Sequence, residues 1–242
     1  MDSHAEMVEM GRAKVDSKNI GRYLQGFNTT ESGQALEGRK GDFAREIDLG
    51  EKMTGIIDRM VETPKEQSGE QGKVIYSIIK TGEIGETNMV TGSELEVDLK
   101  PALMEAINNG GLPLIVTHDH PNGYMFTPKD YLPLVSGDKS KSIRMTRAAV
   151  VLLPDKSQVM AVATNETPIY SSPEEAEKYL AGQDEELKGA IRGVAGDLGK
   201  NETEVVNEAA RVTNSMQVAF ANEMEVKLYR RVGRENFKEF SA

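Results

Sequence analysis

The chain has 242 residues, a net charge of -10 at pH 7, 38% hydrophobic residues, 28% charged residues and no cysteine. That balance belongs to a soluble globular protein on the polar side, and no stretch nears the ~20 apolar residues of a membrane span. The acidic surplus disfavours a general nucleic-acid binder, because neutralising phosphates needs a basic surface. Zero cysteine excludes a disulfide framework and a thiolate zinc site. With no secretory apolar segment in residues 1–7, it points to a cytoplasmic protein. The length fits one large domain, or a core with helical extensions.

Residues 1–43 read as a polar, glycine-dotted N-terminal extension, with short helical pieces near 5–15 and 20–24. His4 in this segment reads as exposed, without a ligand role. From Ala44 to Val61, Ile47, Met53, Ile56, Ile57, Met60 and Val61 recur at helical spacing and predict an amphipathic helix packed on a sheet. A loop follows, then a β-branched strand over Lys73–Lys80. Thr81-Gly82-Glu83 turns it, and Ile84 to Leu99 reads as one or two edge strands or an extended arm. Pro101 to Asn108 predicts a short helix, with Pro101 near its start and Gly110-Gly111 as its stop.

The next stretch runs Leu112-Pro-Leu-Ile-Val-Thr-His118-Asp-His120-Pro-Asn-Gly-Tyr-Met-Phe-Thr127-Pro-Lys-Asp130. An apolar strand ends at two histidines spaced i, i+2. In a strand those side chains point to one side, so both imidazoles can converge on one metal ion. Pro121 keeps His120 extended, and Asn122-Gly123 turns the chain. Thr127-Pro128-Lys129-Asp130 then reads as a helix start, with threonine as N-cap and aspartate three residues later. This brings Asp130 back toward His118 and His120. Two imidazoles and a carboxylate, with a fourth position for water, form the ligand set of a catalytic Zn2+.

Beyond it, Tyr131 to Val135 continues the short helix until Pro133 disturbs it, and 136–141 reads as a loop. Residues 147–154 and 157–164 predict a hairpin turning at Asp155-Lys156. Ser172-Pro-Glu-Glu caps a new helix over 173–195, broken at Gly182, Gly189 and Gly193. Asn201 to about Arg231 reads as the longest helix, a packing element with Val205, Ala209, Val212, Met216, Ala219, Phe220 and Leu228 on its apolar positions. Arg230 and Arg231 near its end suit the helix dipole.

The pattern His-x-His-Pro, turn, Phe-Thr-x-x-Asp resembles the JAB1/MPN/Mov34 (JAMM) metalloenzymes, most of all their prokaryotic and phage-associated members, with RadC-like proteins as cousins. The resemblance covers about Glu66 to Thr167. It implies a mixed β-sheet sandwiched by helices, the cytidine-deaminase-like α/β/α arrangement, here with helical N- and C-terminal extensions. The divisions are then an extension over 1–43, a core over 44–170 and a helical extension over 171–242. It also implies zinc-dependent hydrolysis of a peptide or isopeptide bond, with a protein or peptide substrate such as a ubiquitin-like conjugate. One departure is Thr127, where the family usually has serine. By resemblance Thr127 keeps the hydroxyl that hydrogen-bonds a developing oxyanion.

Such hydrolysis needs a group that takes a proton from water and passes it to the leaving amine. In the family this is a glutamate at or just before an upstream strand. Glu70 stands three residues before the predicted strand and is the first choice, with Glu66 next; Glu83 and Glu86 follow the strand, at its opposite end. Two other readings stay open: a non-catalytic scaffold or virion-assembly domain on the same fold, and a RadC-like role near nucleic acid. The first would lack a glutamate in the pocket; the second would need a localised basic groove.

Overall fold

The computed structural model describes residues 46–62, 69–81, 83–93, 96–121, 123–138, 143–164, 166–197 and 202–240. The two short helices expected before residue 25, His4 and Glu66 lie outside them.

The described strands are β1 (Glu46–Ile47), β2 (Gln71–Ile78), β3 (Ile84–Glu86), β4 (Val90–Thr91), β5 (Gly111–Asp119), β6 (Gly137–Asp138), β7 (Ile143–Arg144), β8 (Ala148–Leu152), β9 (Gln158–Ala163), β10 (Val226–Arg231) and β11 (Phe237–Glu239). The helices are α1 (Gly50–Glu62), α2 (Lys100–Asn108), α3 (Leu132–Val135), α4 (Pro173–Asp197) and α5 (Glu202–Glu223), with a 3-10 turn at Pro128–Tyr131. The class is mixed α/β. An open sheet of nine strands runs β1-β11-β10-β9-β8-β5-β2-β3, with β4 also paired to β2. β6 and β7 form a separate two-stranded ribbon where a loop was expected.

The apolar run before the histidines becomes the central strand β5, because Leu114, Ile115 and Val116 are all buried and both edges are paired. β2 lies antiparallel on one edge and β8 parallel on the other. Alternation sends side chains to two cores. Val74, Val116, Val151, Val159 and Ala161 join residues of α2, α4 and α5 on one face. Ile75, Leu114, Val150, Met160 and Val162 meet Met53, Ile56 and Ile57 of α1 on the other. No helix among the described residues is long and apolar enough to cross a membrane.

Further expectations are corrected. The helix expected from Ala44 begins at Gly50 instead. Ile47 enters the sheet beside Phe237, and Asp48 Oδ1 accepts the Gly50 N–H at 2.8 Å. Pro133 does not disturb a helix but stands in the first turn of α3, where its missing N–H costs nothing. The glycines do not break α4, which is continuous over 25 residues and is the longest described helix. A Cβ at Gly182 or Gly189 would meet nothing within 4 Å. These sites face open space, and helical glycine costs only about 1 kcal/mol.

The largest correction is at the C-terminus. The helix expected through Arg231 stops at Glu223; Glu225 takes a left-handed φ of 57°, and the chain returns as β10 and β11. Val226 and Leu228 face the core containing α5, while Tyr229 faces the core containing α1. That two-residue alternation, paired along the whole of β9, outweighs helix propensity. The C-terminal region is therefore not only helical: it completes the sheet and connects β9 to β1.

Phe237 is 1% exposed in the core under α1. Phe237→Ala should accordingly cost about 3–5 kcal/mol, measured by urea denaturation. A loss under about 1 kcal/mol would mean that β11 is peripheral.

Candidate functional site

The site forms where β5 ends. β2 and β5 run antiparallel with Gly72 opposite His118, so the start of β2 and the end of β5 share one edge of the sheet. Glu70, just before β2, therefore lies beside the histidines. The approach is close: a Cβ at Gly72 would stand 2.5 Å from Leu99 Cδ2, 2.9 Å from the Thr117 oxygen and 3.1 Å from His118 Cβ. Asp119, between the histidines, accepts the Gln71 N–H on its Oδ1 at 2.7 Å, tying the end of β5 to the residue after Glu70. Glu70 is fixed further by backbone bonds, its N–H to the Ser93 oxygen and its carbonyl from the Gly92 N–H, both 2.8 Å.

His118, His120 and Asp130 converge. His118 Nε2 lies 2.9 Å from His120 Nε2 and 3.0 Å from Asp130 Oδ1, and His120 Nε2 lies 3.5 Å from Asp130 Oδ2. Glu70 joins them, one of its oxygens and the two histidine nitrogens all lying within 4.8 Å of one another. Glu83 and Glu86 do not. Glu86 pairs with Arg59 at 2.5 Å and Lys73 at 2.6 Å, and Glu83 is exposed beside Thr81.

Local bonds orient each group. His120 Nδ1 lies 2.7 Å from the Tyr124 carbonyl. A carbonyl only accepts, so Nδ1 carries the proton and Nε2 keeps its lone pair. Asp130 Oδ2 accepts the Thr127 N–H at 2.5 Å and the Thr127 hydroxyl at 2.9 Å. Here the threonine proton is given to Asp130, so Thr127, for which the resemblance implies an oxyanion role, holds a carboxylate in place. His118 Nδ1 is buried and has no partner among the described residues.

The electrostatics separate the two carboxyls. Burial pushes Glu70 up to about 7; His118 opposes the rise, and Asp130, Asp119 and Glu96 add to it. Burial works against ionisation of Asp130 too, but His120, His118 and the Thr127 N–H outweigh it and hold Asp130 well below the usual range. Burial lowers His120 and keeps it neutral at neutral pH. For His118 burial is outweighed by Asp130, and the shift is upward. One carboxylate is thus firmly ionised, and the other can gain or lose a proton near neutrality.

The donor set fits a zinc ion. Ligand atoms about 2.0–2.1 Å from a tetrahedral zinc lie roughly 3.3 Å apart; His118 Nε2 lies 2.9 Å from His120 Nε2 and 3.0 Å from Asp130 Oδ1, while the other carboxylate oxygen, Oδ2, is 3.5 Å from His120 Nε2. Either carboxylate could be the third ligand, but Asp130 is the one in direct contact with both imidazoles.

The sequence reading missed the polar side chains of α5. Asn214 Oδ1 accepts the Met125 N–H at 3.2 Å, and Gln217 Oε1 accepts the Phe126 N–H at 2.8 Å. It also missed Asp119. A signal for Asp119 was present: flanked by two residues that share one side of a strand, it must point to the other.

No protein-family model, curated protein or solved structure matches the chain.

Two outcomes follow. In metal-free protein Glu70 retains its proton between about pH 4.5 and 7 while the unfolded chain loses it. The native state then binds more protons, and stability falls as pH rises through that window, by an amount on the order of 3 kcal/mol. Glu70→Gln should remove this fall, so its stability relative to wild type should climb from pH 5 to pH 8 in chelator-treated samples. A flat difference would mean that Glu70 is ionised throughout. Separately, Gly72→Ala should displace His118 and lower both thermal stability and metal affinity, which calorimetry and metal titration would measure.

Proposed function

We propose that this protein is a metal-dependent hydrolase of JAMM type that cleaves a peptide or isopeptide bond in a protein or peptide substrate, a ubiquitin-like conjugate being one such class. The observation that carries the reading is Glu70: a buried carboxyl, poised near neutrality, set against a His118-His120-Asp130 cluster. Helices on both faces of a mixed sheet, with the cluster at the carboxyl end of a central strand, are in keeping with that class. His118, His120 and Asp130 would hold zinc. When bound, the ion supplies Lewis acidity toward water and the scissile carbonyl.

The residues of the chain then divide the work. Glu70 accepts a proton on its carboxylate as water attacks, and returns it to the departing amine nitrogen. Its raised affinity suits both halves of that task, since a group near pH 7 gives up a proton as readily as it takes one. Asp130 stays ionised, and Thr127 fixes its Oδ2. Tyr124, through its carbonyl, keeps the Nε2 lone pair of His120 directed into the cluster. Asp119, through Gln71, holds the strand that carries Glu70. The absence of cysteine fits a reducing compartment such as the cytoplasm.

Elemental analysis should find one zinc per chain, and His118→Ala with His120→Ala should abolish it. Asp130→Asn should also lose zinc, whereas Glu70→Gln should retain it and lose about 10² to 10⁴ in turnover on a peptide or isopeptide panel. If Glu70→Gln loses zinc as fully as Asp130→Asn, Glu70 is a ligand and not the proton carrier. If wild type holds no zinc, the proposed centre is wrong.

A further inference from the structure

Tyr124 to Thr127, which follow His120's turn and end three residues before Asp130, form a strap held through four backbone groups. The Tyr124 carbonyl lies 2.7 Å from His120 Nδ1. The Met125 N–H goes to Asn214 and the Phe126 N–H to Gln217. The Thr127 N–H goes to Asp130. The strap thus sets the ring orientation of one histidine and the carboxylate orientation of Asp130, and α5 grips it between the two. Asn214 and Gln217 stand three apart on a helix, on one face.

Gln217 is a costly residue for packing alone. It is 3% exposed among Val218, Phe220 and Ala221, which line the core, and its Nε2 finds no partner among the described residues. A buried amide with one half unsatisfied is destabilising, because no hydrogen bond repays the water that its N–H groups have lost. An apolar side chain of similar volume would avoid that cost. What only the amide provides is an acceptor for the Phe126 N–H, which is itself buried (Phe126 is 0% exposed).

We propose that Asn214 and Gln217 of α5 are positioning residues for the metal centre, acting through the Tyr124–Thr127 strap on His120 and Asp130. The proposal rests on the metal-centre reading above. Both side chains are bonded to the strap and neither to the cluster, so their effect passes through two backbone N–H groups. Outer partners that orient metal ligands typically govern affinity by roughly 10- to 100-fold.

The test compares wild type with Gln217→Met, which keeps the volume and removes the acceptor, and with Asn214→Leu and Asn214→Asp at the half-buried neighbour. Zinc affinity is measured by competition with a chromophoric chelator, and ligand geometry by the visible spectrum of the Co2+ form. Gln217→Met and Asn214→Leu should bind zinc roughly 10- to 100-fold more weakly and alter the Co2+ spectrum, with circular dichroism unchanged. Asn214→Asp, which keeps the accepting oxygen, should match wild type. Affinity within twofold of wild type and an identical Co2+ spectrum for Gln217→Met would overturn the proposal. Should Gln217→Met not fold, the Asn214 pair decides: equal affinity for leucine and aspartate overturns it. Should wild type bind neither ion, the metal reading falls, and amide exchange in the metal-free protein decides the strap. Faster exchange of Phe126 in Gln217→Met upholds the grip of α5, and unchanged exchange refutes it.

Discussion

The constraint on which the rest depends is the register of β2 against β5. Gly72 faces His118 across that pair, and the space there admits no larger residue without moving Leu99, Thr117 or His118. A one-residue slip would turn every side chain of β2 to the opposite face. It would also carry Glu70 away from the histidines. The register is protected by the cores on both faces, with Val74 on one side and Ile75 on the other, and by the Asp119 bond to Gln71 at the end of the ladder. The hydrophobic pattern that folds the sheet is therefore also what sets the distance between the carboxyl and the imidazoles.

Gathering Glu70, His118, His120 and Asp130 in one nearly dry place works against folding. Each ionised group there loses solvation, and only pairing recovers it. The arrangement recovers part: Asp130 is matched by His118 and by two bonds from Thr127. Glu70 is not matched in this way, and its burial keeps a proton on it up to about pH 7. A buried Arg144 is treated differently, being bonded to the carbonyls of Leu134, Pro168, Thr164 and Thr167 with no carboxylate among these partners. The contrast separates a guanidinium whose two terminal nitrogens are bonded to backbone carbonyls from a cluster whose polar groups face one another.

Much of the fold was legible where local pattern and tertiary demand agree. The apolar run before His118, the β8–β9 hairpin and the short helix after Pro101 all carry a period or a turn that admits one element. The convergence of His118, His120 and Asp130 was legible for the same reason, since i, i+2 spacing and a Thr-x-x-Asp helix start are local geometry. The failures fall where a long-range partner decides. Val226 to Arg231 offers both a helical and an alternating reading, and only pairing to β9 selects the strand. Ile47 fits the period of α1 and yet sits beside Phe237. The roles of Asn214 and Gln217 depend on backbone N–H groups some ninety residues earlier, which no window on the sequence contains.

These late elements change how the cluster relates to the whole molecule. α5 holds the strap before Asp130, and the chain then leaves α5 directly into β10, in the interior of the sheet. A helix that merely covered a finished core could shift without consequence for the histidines. Here the helix is anchored at its C-terminal end by a strand paired along its length to β9, and β9 is paired in turn to β8 and β8 to β5. The histidines reached from β5 and the strap reached from α5 are thus joined through one continuous ladder. Disturbing β10 should therefore be felt at the end of β5, even though no residue of β10 approaches the cluster in sequence.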